Sequence, residues 1–133
     1  MTAHPDIAAY NAAQSPTNNA ICARLAAELD NGLKKTESKI WHGGPVWFID
    51  GNPVAGYWVR KNHVTLLFWS GQSFDEPGLN PQGKFKAAEA HYDEVSQIKS
   101  ADLARWLKKA KTVQWDYKNI VKRKGKLEKI GSW

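Results

Sequence analysis

The chain has 133 residues, 42% hydrophobic and 24% charged, with a formal net charge of +6. That length suits a single domain, and those proportions match globular averages, which excludes wholesale disorder. No apolar run approaches the ~18 residues of a membrane span, and the single cysteine, Cys22, excludes an internal disulfide or a cysteine-built zinc site.

Residues 1–14 are Ala- and Asn-rich with little pattern and read as a loose N-terminal arm. Ser15-Pro16 then starts a helix, with serine as N-cap and proline at the first helical position. Ile21, Leu25, Leu29 and Leu33 follow at helical spacing, and Asn31-Gly32 marks its stop. Lys34–Lys39 is read as a polar connection or another helical turn. The period then changes. Val46–Asp50, Val54–Arg60 and His63–Trp69 are short, aromatic and β-branched, so three strands are predicted, with turns at Gly51-Asn52-Pro53 and Lys61-Asn62. Such short connections make the strands antiparallel, as a meander. A Gly/Pro-rich loop spans Ser70 to Gly83, and Lys84–Tyr92 fits either a strand or a helix. Ser100 caps a second helix that carries Asp102 in its first turn and Leu103, Trp106, Leu107 and Ala110 on one face. Val113–Tyr117 is a short strand or continued helix.

The order of elements predicts an α+β fold, an antiparallel β-sheet meander flanked by an N-terminal and a C-terminal helix. The single domain spans 15–117, and residues 118–133 form a basic C-terminal tail. That tail holds six of the basic residues against Glu128 alone, so it carries +5 of the net +6. It could hold phosphates weakly, with strong salt dependence, or simply stay solvated. The start, Met1–Asp6, lacks the basic stretch and apolar core of a signal peptide, so a cytoplasmic protein without a membrane partner is expected.

The strands are apolar on both faces. Val54, Gly56 and Trp58 alternate with Ala55, Tyr57 and Val59, and Val64, Leu66 and Phe68 with Thr65, Leu67 and Trp69. A sheet with one wet face should alternate apolar and polar. Two helices cover one face, so the second needs other cover: the arm, the tail, a second subunit or a ligand.

Catalytic motifs fail on inspection. Gly78-Leu79-Asn80-Pro81-Gln82-Gly83-Lys84 has phosphate-loop spacing, but Phe85 stands where a magnesium-binding hydroxyl is needed. His42-Gly43-Gly44-Pro45 resembles an oxyanion loop without any nucleophile elbow to accompany it. His4, His42, His63 and His91 lack metal-ligand spacing, and Cys22 beside Ile21 reads as a buried thiol. No catalytic residue, metal site or cofactor is therefore expected. The seven tryptophans are the least ordinary feature, with Trp41, Trp47, Trp58 and Trp69 in or beside the sheet. Only Arg60 and Lys61 are basic between Val46 and Trp69, too few for a nucleic-acid groove on the strands.

Four blocks stand in order: Lys39–Trp47 (KIWHGGPVW), Asp50–Pro53 (DGNP), Leu66–Gln72 (LLFWSGQ) and Gly83–Lys86 (GKFK). Together they resemble the YdhG-like family of small bacterial proteins, domain of unknown function 1801, over about residues 16–112. The resemblance implies a compact α+β fold with helices flanking an antiparallel sheet, and it makes Lys84–Tyr92 a strand. Some members are described as frataxin-like iron chaperones, so an iron chaperone is one implied role. From the residues themselves, the expected function is binding of a small ligand at the aromatic sheet face or the adjoining loop. Trp41, His42, Trp58, Trp69 and Lys84 are the candidate ligand-binding residues. A protein-interaction or homodimerisation module using the same face is the alternative.

Overall fold

A computed structural model of the chain describes residues 4–34, 36–61, 63–131 and 133. The first residues of the arm, Lys35 of the polar connection, Asn62 of the expected Lys61-Asn62 turn and Ser132 of the tail lie outside the described residues. The chain runs α1 (Pro5–Ala12), α2 (Pro16–Gly32), β1 (Glu37–Trp41), β2 (Gly44–Ile49), β3 (Asn52–Val59), β4 (Val64–Phe68), β5 (Asn80–Pro81), β6 (Ala88–Tyr92), α3 (Ser100–Ala110), β7 (Gln114–Trp115) and β8 (Lys129–Ile130). Strands β1-β2-β3-β4-β6-β5 lie in that order in one antiparallel sheet. The fold is α+β, as the order of elements predicts.

Two tight hairpins set the register of the first three strands. His42 and Gly43 have φ of 52° and 81°, and Asp50 and Gly51 have 51° and 80°. Two consecutive positive-φ residues make the turn whose twist matches antiparallel strands. The second turn is therefore Asp50-Gly51, one residue earlier than expected, and Asn52-Pro53 already belongs to β3. Pro53 is tolerated in a central strand because the pairing slips there: Trp47 faces Ala55 and Phe48 faces Pro53, leaving Val54 as the extra residue of a bulge.

Helix α2 forms as expected, with the Ser15 hydroxyl accepting from the Asn18 N–H at 3.3 Å. Ile21, Cys22, Leu25, Ala26 and Leu29 are its buried row. Helix α3 buries Leu103, Trp106, Leu107 and Ala110. Its N-cap is Lys99, so Ser100 does not cap the helix. The Ser100 hydroxyl instead donates to Glu28 Oε2 at 2.5 Å and accepts from Arg24 Nη2 at 2.7 Å, tying α3 to α2. Both helices pack on one face of the sheet, against Trp47, Ala55, Tyr57, Leu66, Phe68 and Ala90.

Both ends of the chain depart from expectation. The supposed loose arm contains α1, begun by Pro5 and by His4 Nδ1 accepting from the Asp6 N–H at 3.1 Å. Ile7 is fully buried, the Tyr57 hydroxyl donates to Asn11 Oδ1 at 2.7 Å, and Val59 N–H donates to the Tyr10 hydroxyl at 3.0 Å. Two apolar anchors, Ile7 and the Tyr10 ring edge-on to Tyr57 at 6.3 Å, and two hydrogen bonds dock this helix. The basic tail also folds back. Its β8 pairs with β7, Trp133 Nε1 donates to Gln114 O at 3.2 Å, and the Arg123 guanidinium meets the Asp116 carboxylate. Lys118 N–H donates to Asn52 Oδ1 at 2.9 Å. No described helix is long and apolar enough to cross a membrane.

Candidate functional site

The face of the sheet opposite the helices is built by alternation. In β1, Lys39 and Trp41 point to it; in β2, Val46 and Phe48; in β3, Gly56 and Trp58; in β4, Leu67, followed just beyond the strand by Trp69. The rings meet in a string. Phe48 and Trp41 centroids lie 5.4 Å apart, Trp41 and Trp69 6.1 Å, and Trp69 and Trp58 5.7 Å. His42 packs on Trp41 at 4.1 Å, and its carbonyl accepts the Trp58 Nε1–H at 3.0 Å. Trp41, His42, Trp58 and Trp69, singled out from the sequence, are thus brought together.

Room for these rings comes from glycine. A Cβ on Gly44 would sit 2.4 Å from Trp58 Nε1, and one on Gly56 3.2 Å from Trp58 Cη2. The Trp58 indole lies across both positions. Over β1–β3 the second sheet face is therefore overlaid by its own aromatic side chains. Phe48 and Val46 beneath are buried, while Trp41, Trp58 and Trp69 remain half-buried. Two cations frame the string: Lys39 Nζ stands 4.9 Å above the Phe48 ring, and the Arg60 guanidinium 5.9 Å from the Trp58 ring.

Lys84 is placed elsewhere. Exposed in the connection from β5 to β6, it stands 5.3 Å from the ring of Phe85, which in turn packs edge-on to Tyr117. Lys39, Phe48 and Arg60 are the members that residue choice missed. Their signal was available: Lys39 precedes Trp41 by two, and Phe48 follows Val46 by two, but Lys39 was not assigned to a strand.

The adjoining Gly/Pro-rich loop contains a cleft of about 370 Å³, lined by Gln72, Asp75, Glu76 and Leu79 among others. Its acid is already engaged. Arg105 Nε and Lys109 Nζ each lie 3.0 Å from the Glu76 carboxylate, and their hydrogen bonds hold its pKa below the usual range. The phosphate-loop spacing proves to be ordinary turns, with β5 inside it and β6 after it. Cys22 is buried in the core, and burial pushes its thiol pKa up to about 12. His63 and His91 stack at 3.9 Å, and His91 Nε2 lies 2.5 Å from Glu89. Iron would need clustered oxygen or imidazole ligands; among the described residues no group of three or more His, Cys, Asp or Glu is placed to hold a metal ion.

Comparisons with known protein families, curated proteins and solved structures return no match to this chain. The functional reading therefore rests on the geometry of the aromatic face.

Proposed function

We propose that the chain is a binding domain whose aromatic sheet face takes a small, flat, anionic ligand. One observation carries the reading: Trp41, Trp69 and Trp58 stay half-buried in a row that continues into the buried Phe48, with a cation near each end of the string. Flat rings favour a planar partner, and Lys39 and Arg60 favour a negative one. The loop cleft is the weaker candidate, because its carboxylate is satisfied within the protein. Two blocks behind the YdhG-like resemblance, Lys39–Trp47 and Leu66–Gln72, supply Lys39, Trp41, His42 and Trp69 of this face. That supports extending the reading to such a family.

The face is a shelf and not an enclosed pocket, so its affinity should be modest. At about 0.3 kcal/mol per heavy atom, a probe of about 20 heavy atoms gains about 6 kcal/mol, a Kd of tens of micromolar. Naphthalene sulfonate dyes such as anilinonaphthalene sulfonate, anionic and with a flat naphthalene ring, are suitable probes, titrated against dye emission and tryptophan quenching. Saturable one-to-one binding that weakens at least tenfold in Trp69→Ala, with unchanged far-ultraviolet dichroism, is expected. Binding unaffected by Trp69→Ala would refute the shelf. Concentration-dependent dimerisation that the probe cannot disrupt would favour the homodimer reading instead.

A further inference from the structure

A second surface is assembled from parts far apart in the sequence. Trp115 of β7 meets Trp133 edge-on at 5.4 Å, and Lys129 of β8 lies 4.4 Å from the Trp133 ring and 5.9 Å from the Trp115 ring. Lys86 reaches the same Trp115 ring at 4.8 Å, and its N–H donates to the Tyr117 hydroxyl at 2.9 Å. Phe85, with Lys84 beside it, packs on Tyr117 at 6.4 Å. Aromatic rings and lysines therefore alternate from the connection before β6 across to the end of the chain. All four rings stay partly accessible.

The charge of this surface is unusually one-sided. Its acids, Asp116 and Glu128, are both held by Arg123. Lys84, Lys86, Lys122, Lys124, Lys126 and Lys129 have no carboxylate within ion-pair distance among the described residues. The anchoring is firm: Trp115 N–H donates to the Ser70 hydroxyl at 2.9 Å, its Nε1 donates to Ser73 at 3.0 Å, and Asn52 Nδ2 donates to Trp115 O at 3.1 Å.

We propose that this surface, formed by 84–86, 115–131 and 133, binds single-stranded nucleic acid. Lysines interleaved with open rings match what a single strand presents, phosphates at regular intervals with a flat base between them. A patch that served only inorganic phosphate would have no use for four ordered rings. Reading the strands alone missed this, because the rings and the basic tail join only when β8 pairs with β7.

The test is fluorescence anisotropy with a labelled oligothymidylate of about 15 nucleotides. With roughly four phosphates neutralised, affinity should fall roughly 50-fold between about 50 and 200 mM salt. Lys122→Gln with Lys126→Gln, both exposed and outside the core, should make the salt slope shallower by about 1.4. Trp133→Leu should weaken binding roughly tenfold while leaving the salt slope unchanged, which separates stacking from charge. Trp69→Ala should bind as the parent does, since that ring belongs to the other face. Inorganic polyphosphate competing as well as the oligonucleotide at equal charge, together with an unaffected Trp133→Leu, would overturn the proposal. So would tighter binding to vesicles rich in phosphatidylserine than to the oligonucleotide.

Discussion

Gly44→Ala is the sharpest test of how the aromatic face is built. The added Cβ would stand 2.4 Å from Trp58 Nε1, 2.5 Å from its Cδ1 and 2.7 Å from Tyr57 O. Comfortable carbon contacts are about 3.5–4.0 Å, so the overlap is about 1 Å. An indole is rigid and a strand carbonyl is fixed by its ladder, so neither can yield cheaply. The ring must lift away, breaking its 3.0 Å hydrogen bond to His42 O. Overpacking of this kind costs about 1–3 kcal/mol, and the lost hydrogen bond adds about 0.5–1.5. For a chain of this size, a total of about 1.5–4.5 kcal/mol lowers Tm by roughly 5–20 °C.

The assay is thermal unfolding alongside near-ultraviolet circular dichroism, which reports the mutual orientation of the Trp58 and Trp69 rings. Gly43→Ala is the control. Gly43 has φ of +81° and open space where its Cβ would go, so only the left-handed backbone penalty of about 1–2 kcal/mol applies and the tryptophan spectrum should survive. If Gly44→Ala melts with the parent and keeps its spectrum, the packing described is wrong. Equal spectral change in both variants would also refute it.

Three further outcomes are expected. Tyr57→Phe leaves Asn11 Oδ1 buried without its donor, costing about 1–3 kcal/mol in chemical denaturation and loosening α1 to hydrogen exchange. Cys22, with its pKa pushed up to about 12 by burial, should resist dithionitrobenzoate at pH ~8 until the protein is unfolded. Hydrogen bonds from Arg105 and Lys109 depress Glu76; at Asp116 burial pushes upward but is outweighed by Asn119 and Arg123, so both carboxyls lie below their ordinary pKa. Depressed carboxyls stabilise the fold above about pH 4 and lose that contribution as pH falls through the folded values, so Tm should drop on acidification below about pH 4, and less steeply in Glu76→Gln.

What the sequence disclosed follows from periodicity. Helices α2 and α3 and the central strands carry apolar rows of period 3.6 or 2, and these were legible. Helix α1 was not, because its docking uses Ile7, Asn11 and Tyr10, and hydrogen bonds leave no periodic trace. Strand β1 escaped because it lies at the sheet edge, with Glu37 and Lys39 exposed and no β-branched run. The tail looked detached because Asn52 and Asp116 hold it by polar contacts, to Lys118 and Arg123, that leave no apolar pattern. At the site, the aromatic content in and beside the predicted strands pointed to Trp41, Trp58 and Trp69, but only the pairing of β1, β2, β3 and β4 puts them on one face. Lys84 sits in a connection whose path no local rule sets.

The sheet itself supplies the comparison that gives its aromatic face meaning. On that same face, the β4–β6 half carries Glu89 and His91 over a buried Thr65, with Leu67 the one large apolar side chain among them. The β1–β3 half could have been built the same way. It instead places Gly44 and Gly56 in strands, where each glycine weakens the strand by roughly 0.5–1 kcal/mol relative to alanine. It then lays Trp58 over them and leaves three indoles half in water, forgoing part of the ~1.5–3 kcal/mol that fully burying a large apolar side chain yields. Neither choice is needed to hold the helices, which pack on the opposite face. The penalty is confined to one patch, framed by Lys39 and Arg60, and that confinement is the physical reason to seek the ligand there.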